Sequence, residues 1–254
     1  MSRYTVRKNA LSILNEIENK PENYYLIHYA CDDFNSSKSI SSISVMNFSN
    51  RITKTFDIDK TAKMLKLPDN KTTYCDSTIQ RKLLEEFNSF LQVHPDTQWI
   101  SWNMENDFYG FNAIYEYSEF LNIEHPVKIS ESQQINLAHL LADLYGPNFA
   151  NDPKMENLAK INNIDLSYEF KTGKEEIELL KQAKYNKISL STSRKLTIFR
   201  SFLEKAINNK LKVDSSWIET YGFSLQGMYT AVKDKWWFAL LTFILGIVIG
   251  HFVQ

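Results

Sequence analysis

The sequence predicts an α/β domain built on a sheet of mixed strand direction, with one apolar segment after it. Three observations carry this. Helical and strand periodicities follow the order helix, three strands, helix, strand, then mostly helices. Short turns join the first three strands, which makes them antiparallel neighbours, while a helical crossover sets the fourth strand parallel to one of them. Residues 236–253 carry no charged side chain.

The elements follow in order. Residues 9–19 form a short amphipathic helix, with Leu11 and Leu14 along it and Pro21 beyond its end. The run YYLIHYA (24–30) is continuously aromatic and apolar, the pattern of a buried central strand. Ile43 and Val45 alternate with Ser42 and Ser44 in a second strand. Ile52, Phe56 and Ile58 share one face of a third, and Ser49-Asn50 supplies the turn between the two. Helical spacing returns over 79–92, where Ile79, Leu83, Leu84, Phe87, Phe90 and Leu91 share a face. TQWISW (97–102) is the fourth strand, and Phe108, Phe111, Tyr115 and Leu121 mark the helix after it. A helix over 133–145 stops at Gly146-Pro147. Another opens at Asp152-Pro153 and runs to about Asn162. Thr172 and Glu175 form a capping box for a helix to about Lys187. A last helix runs from about Thr192 to Asn208 on Leu196, Phe199, Phe202, Leu203 and Ile207.

Net charge is -1, so no whole-molecule field favours nucleic acid. The two cysteines, Cys31 and Cys75, match no metal-binding spacing and point to a reducing compartment. The N-terminal residues contain no apolar run, so no signal peptide is expected. The uncharged run WWFALLTFILGIVIGHFV (236–253) would span about 27 Å as a helix, close to the ~30 Å hydrocarbon core of a bilayer. Trp236 and Trp237 sit where interfacial aromatics belong, flanked by Lys233 and Lys235. Gly246 and Gly250 form a GxxxG through which two copies could approach. The expectation is a tail-anchored, single-pass protein of the inner or cell membrane with the bulk of the chain cytoplasmic. Its parts are a domain over 1–212, a juxtamembrane linker over 213–235 and a transmembrane helix over 236–253. Its expected partners are the lipid bilayer and further copies of itself.

Residues 181–212 hold nine Lys or Arg against one acid, Glu204. Such a stretch serves as a phosphate-binding face, as a contact for anionic lipid or as a solvated helix surface. Lys187, Ser191, Thr192, Arg194 and Lys195 cluster at the expected start of the last helix, where hydroxyls and free amides can hold a phosphate. His28 lies inside an apolar strand, as a satisfied core histidine or a ligand-binding one. Trp102 belongs to an aromatic group with Trp99, Phe108, Tyr109 and Phe111 that suits either a core or a base-stacking surface.

The segment WISWNMENDFYGFNAI (99–114) ends a strand at Trp102-Asn103 and places Asp107 four residues beyond the asparagine. This resembles the second motif of the DnaQ-like 3′–5′ exonucleases of the ribonuclease H-like fold, in which His-Asn ends the strand. LLEEFNSFL (83–91), LAHLLADLY and MENLAKINNI (155–164) are similar to the family's flanking helices, and the resemblance covers roughly 24–205. It implies a ribonuclease H-like mixed sheet, with three antiparallel strands followed by helix–strand crossovers.

The resemblance also implies two divalent ions, Mg or Mn, held by four carboxylates. The candidates are Asp32 or Asp33, Asp107 and Asp143, with Asn103 beside them; Asp32 and Asp107 are the expected metal ligands. The family's first motif, Asp-x-Glu, falls here on His28 and Ala30, with Asp32 and Asp33 a few residues later. Its last motif falls near 185–196, where Tyr185 is present but Lys187, Arg194 and Lys195 replace the aspartate. A cation in place of a ligand weakens metal binding. The resemblance therefore implies a degenerate member that binds nucleic acid or a nucleotide. An active exonuclease and a structural protein assembling through its anchor are the alternatives. A sensing domain joined to one membrane helix is similar in outline to anti-phage defence effectors of bacteria, which would bring an operon-encoded partner protein.

Overall fold

The computed structural model describes residues 2–32, 39–68, 73–105 and 108–223, together with positions 227, 229, 232, 240, 242–244 and 247. The chain is mixed α/β. Helix α1 (Arg3–Asn19) leads into β1 (Tyr24–Cys31), β2 (Ile40–Asn47) and β3 (Thr53–Asp57). Helices α2 (Ile58–Met64) and α3 (Ser77–Gln92), strand β4 (Gln98–Ser101) and helix α4 (Phe111–Phe120) follow. Strand β5 (Gln134–Asn136) and helices α5 (Leu137–Tyr145), α6 (Lys154–Ile161), α7 (Gly173–Lys181), α8 (Tyr185–Ile207) and α9 (Trp217–Tyr221) complete it.

The five strands form one sheet in the order β3-β2-β1-β4-β5. The β1–β2 and β2–β3 pairs are antiparallel, and the β1–β4 and β4–β5 pairs are parallel. Helices cover both faces, so β1 and β2 are buried on both, in keeping with the largely apolar run of 24–30. Leu26, Met46 and Ile100 pack with α1, α5, α6 and α8 in one core cluster. Ile27, Tyr29, Val45 and Trp99 pack with α2, α3 and α4 in the other. The period of two along each strand sorts its side chains between the two cores.

Several boundaries differ from expectation, each for a local reason. Helix α1 starts earlier, because Ser2 accepts a hydrogen bond from the Thr5 amide and caps it. The third strand ends at Asp57, which caps α2 through the Lys60 amide at 2.9 Å. Ile58 is therefore the first residue of a helix, and Ile52, 68% exposed, lies outside the strand. The expected helix over 133–145 opens instead with the short strand β5, and Asn136 caps α5.

The helix that Thr172 begins stops at Lys181, and α8 starts at Tyr185 rather than near Thr192. Tyr185 and Ile188 bury in the second core and draw the start of α8 inward. The hydroxyl run of 189–193 thus lies within the helix. Thr192 Oγ1 meets Ser42 Oγ and Ser44 Oγ, each at 2.9 Å. A polar seam joins α8 to β2 in place of a phosphate-binding helix start.

The expectation of a membrane-spanning helix over 236–253, with its tail-anchored, single-pass location in a membrane, is corrected. Among the described residues no helix is long and apolar enough to cross a membrane. Of that stretch, Leu240, Thr242, Phe243, Ile244 and Ile247 are described as helical, and the other positions lie outside the described residues. Helix α8 has the length, at 23 residues, but it carries Lys187, Arg194, Lys195, Arg200, Glu204 and Lys205 and belongs to the sheet's packing. Helix α9 lies within the stretch expected to be a linker, and it packs on α1 and α5.

Candidate functional site

The C-terminal ends of β1 and β4 open into a cleft of about 430 Å³, bounded on its other side by α7 and α8. Ends of parallel strands at a change in strand direction are where α/β folds place ligands. His28, Asp32, Trp102, Asn103 and Lys195 all line this cleft, so five residues picked out in the sequence converge there. Tyr109, Phe170, Thr172, Gly173, Lys174 and Glu176 line it with them. Trp102 and Asn103 also border an adjoining cleft of about 470 Å³, reaching to His139, Asp152 and Lys154.

Lys195, buried in α8, pairs with Glu176 of α7 at 2.7 Å. Glu176 also accepts the Ser191 hydroxyl at 2.6 Å. Burial pushes the Glu176 carboxyl above its ordinary range, against the downward pull of Lys195. The Lys195 ammonium also lies 5.9 Å from the Phe170 ring centre, so an aromatic side chain screens it from water.

His28 is 7% exposed. Desolvation, and then the nearby Lys195 charge, hold its pKa well below the ordinary histidine value, so the ring is neutral. Tyr109 donates its hydroxyl to the Tyr29 carbonyl at 3.0 Å and stands 3.3 Å from His28 Nδ1. The Tyr29 and Tyr109 rings stack at 4.5 Å, and the Gly110 amide donates to the Tyr29 hydroxyl at 3.0 Å. Cys31, also in the cleft wall, has its thiol pushed up to about 12, chiefly by burial, and is no nucleophile at neutral pH.

Asn103 takes a left-handed backbone conformation, φ 53°, which an asparagine tolerates better than most residues. Its amide donates to Asn136 Oδ1 at 3.3 Å and its Oδ1 accepts from Asn136 Nδ2 at 3.4 Å, which ties the end of β4 to the cap of α5. Trp102 stacks on Phe199 of α8 at 5.9 Å, so the aromatic group is core at its base and cleft wall at its edge. Phe108 is 64% exposed.

Other residues picked out in the sequence sit elsewhere. Asp143 is exposed on α5, where its backbone carbonyl accepts a hydrogen bond from Arg3 at 2.7 Å. Lys187 is exposed near the start of α8, and Arg194 donates to the Asp165 carbonyl. Ser191 and Thr192 serve the ion pair and the β2 seam. Asp33 and Asp107 lie outside the described residues. Of the nine cations of 181–212, Lys195 and Arg200 pair with Glu176 and Glu204 within the fold.

Glu176, Phe170, Gly173 and Lys174 were not singled out from the sequence. The capping box at Thr172 located the start of α7, but nothing local in the sequence says that this helix end faces the ends of β1 and β4. Among the described residues no group of three or more His, Cys, Asp and Glu is placed to hold a metal ion. Of the two expected metal ligands, Asp32 lines the cleft and Asp107 lies outside the described residues. The cleft offers flat aromatic walls, a neutral histidine, an internally paired lysine and, at one rim, Lys174 with the N-terminal amides of α7. No family model matches this chain, and no curated protein or solved structure matches it either.

Proposed function

We propose that the cleft between β1, β4, α7 and α8 binds a nucleotide, free or at the end of a nucleic-acid strand, on a ribonuclease H-like scaffold. The observation that carries this is the Lys195–Glu176 pair, which fills one side of the cleft, where the exonuclease family that the sequence resembles would require a free carboxylate. An internally neutralised pair fixes α7 against α8 and itself offers no free charge to a divalent ion. The strand order and the parallel β1–β4–β5 half support the scaffold. Trp102, Tyr109 and Phe170 supply walls for a base, a contact worth about 1–3 kcal/mol per stacked base. The N-terminal end of α7 with Lys174 supplies the complementary end for phosphate.

The test is calorimetric titration of the full chain with nucleoside monophosphates and a short oligothymidylate. Saturable binding that weakens with salt, and weakens about tenfold or more in Lys174→Glu, is the expected result. Lys174 is exposed, so this substitution leaves the core alone. Absence of saturable binding to any of these probes overturns the proposal.

A second reading has one observation in its favour. Asp32 is buried at the end of β1 and lines the cleft with Asn103, so a carboxylate does reach this site. Metal-dependent hydrolysis of single strands would then need Asp107 as well. Degradation of an oligonucleotide with Mg or Mn that disappears in Asp32→Ala and Asp107→Ala would establish that reading over simple binding.

A further inference from the structure

We propose that His28 sets the specificity of this cleft, by accepting a hydrogen bond from an N–H group on the edge of the bound base. The inference rests on the nucleotide proposal above and goes further by naming what the ligand must present. Three observations lead to it. His28 lies on the β1 face that α8 covers, paired across the sheet with Ser44, and it lines the cleft. The single hydroxyl proton of Tyr109 goes to the Tyr29 carbonyl, so the same oxygen meets His28 Nδ1 as an acceptor. That places the ring proton on Nδ1 and leaves Nε2 as a bare lone pair.

The third observation is that Nε2 has no hydrogen-bond partner among the described residues, although the side chain is more than nine-tenths buried. A buried acceptor without a donor is costly, and such atoms are satisfied by water or by a ligand. Lys195 does not supply the donor: its ammonium bonds Glu176 at 2.7 Å and makes no hydrogen bond to Nε2. A phosphate oxygen or a base carbonyl would set lone pair against lone pair. A metal ion would need further donors at once, and no such group is described. The chemistry that fits is a neutral, flat ring bearing an N–H: a uracil or guanine ring imide, or the exocyclic amine of adenine or cytosine.

The Nδ1–H tautomer is held in turn by Tyr109, whose ring is fixed by stacking on Tyr29. Tyr109 is therefore a positioning residue and His28 the recognising one. The arrangement separates two tasks, with the base edge read at His28 and the phosphate held at the α7 end by Lys174.

The experiment compares each nucleoside monophosphate with an analogue lacking the donor. Uridine monophosphate is set against its ring-N-methylated form, and adenosine monophosphate against purine riboside monophosphate, all by calorimetry on the full chain. The expected result is that the tighter-binding natural nucleotide outperforms its donor-less analogue by about ten- to a hundredfold. His28→Gln, which keeps an acceptor, should retain the discrimination, and His28→Phe should bind both members of a pair alike. Because His28→Phe could disturb the core, the wild-type chain supplies an independent readout. The ¹⁵N resonance of His28 Nε2 should move on addition of the preferred nucleotide and stay put with its donor-less analogue.

Equal affinity for both members of each pair, with the Nε2 resonance unmoved, overturns the role of His28 and leaves the binding proposal standing. Failure of every nucleotide to bind overturns both.

Discussion

His28 shows how one side chain ties stability to pH. Its native pKa is held well below the ordinary value of 6.5 by burial first and Lys195 second. The unfolded chain therefore takes up a proton, below that ordinary value, that the native chain refuses. Stability is fully present above it and falls as the pH drops, by up to about 1.4 kcal/mol per pH unit. Urea titrations of wild type and His28→Gln at about pH 7.5 and about pH 5.5 isolate this contribution. The wild type should lose about 1 kcal/mol more than the variant over that interval, and parallel losses would remove His28 as the source. The buried Lys195–Glu176 pair differs in kind. Its two charges and the Ser191 hydroxyl satisfy one another within the fold, so its worth lies in the geometry it fixes between α7 and α8 more than in net stability.

Element by element, much of the chain was legible because the patterns are local. The run of 24–30, the helical face of 79–92 and the stop at Gly146 all appear in the structure near their expected places. The misplacements arise where a tertiary contact decides. The hydroxyl run of 189–193 reads as a helix start, yet Thr192 faces two serines of β2 that are about 150 residues away, a pairing no local window reveals. Strand β5 escaped because three residues leave no period to count. In the candidate site, His28, Trp102 and Asn103 were visible because they depart from an apolar strand or end one. Glu176 was hidden because a lone glutamate on a helix carries no signal until the helix is docked. Helix α7 itself is short and depends on its capping box, in which Thr172 and Glu175 exchange side chain to backbone bonds. Thr172→Ala should cost about 1 kcal/mol and speed amide deuterium exchange across 173–181 while leaving α3 unchanged. Unchanged exchange in that helix would show that packing alone holds it.

In the whole molecule, α1 ties together α5 and α9, elements far apart in the sequence. Arg3 donates through Nε to the Glu219 carbonyl at 2.6 Å and through Nη1 to the Asp143 carbonyl at 2.7 Å. Gly222, at φ 75°, lets the backbone after α9 pass so close that a Cβ there would stand 3.0 Å from Arg3 Cβ. Arg3→Ala should lower stability by about 2 kcal/mol in chemical denaturation, through two charge-assisted bonds. A midpoint equal to that of the wild type would mean α9 is seated by Tyr221 and its neighbours alone. The seam between β2 and α8 has a consequence for synthesis. The first three strands leave the ribosome early, whereas the helix that covers one of their faces is made some 150 residues later. Until then Leu26, Met46 and the serines beside them have no lid, and a nascent chain that pauses before 185 presents a sticky, half-polar surface. Completion of the sheet is thus a late event, and fragments ending ahead of that helix should be captured by chaperones or aggregate rather than fold.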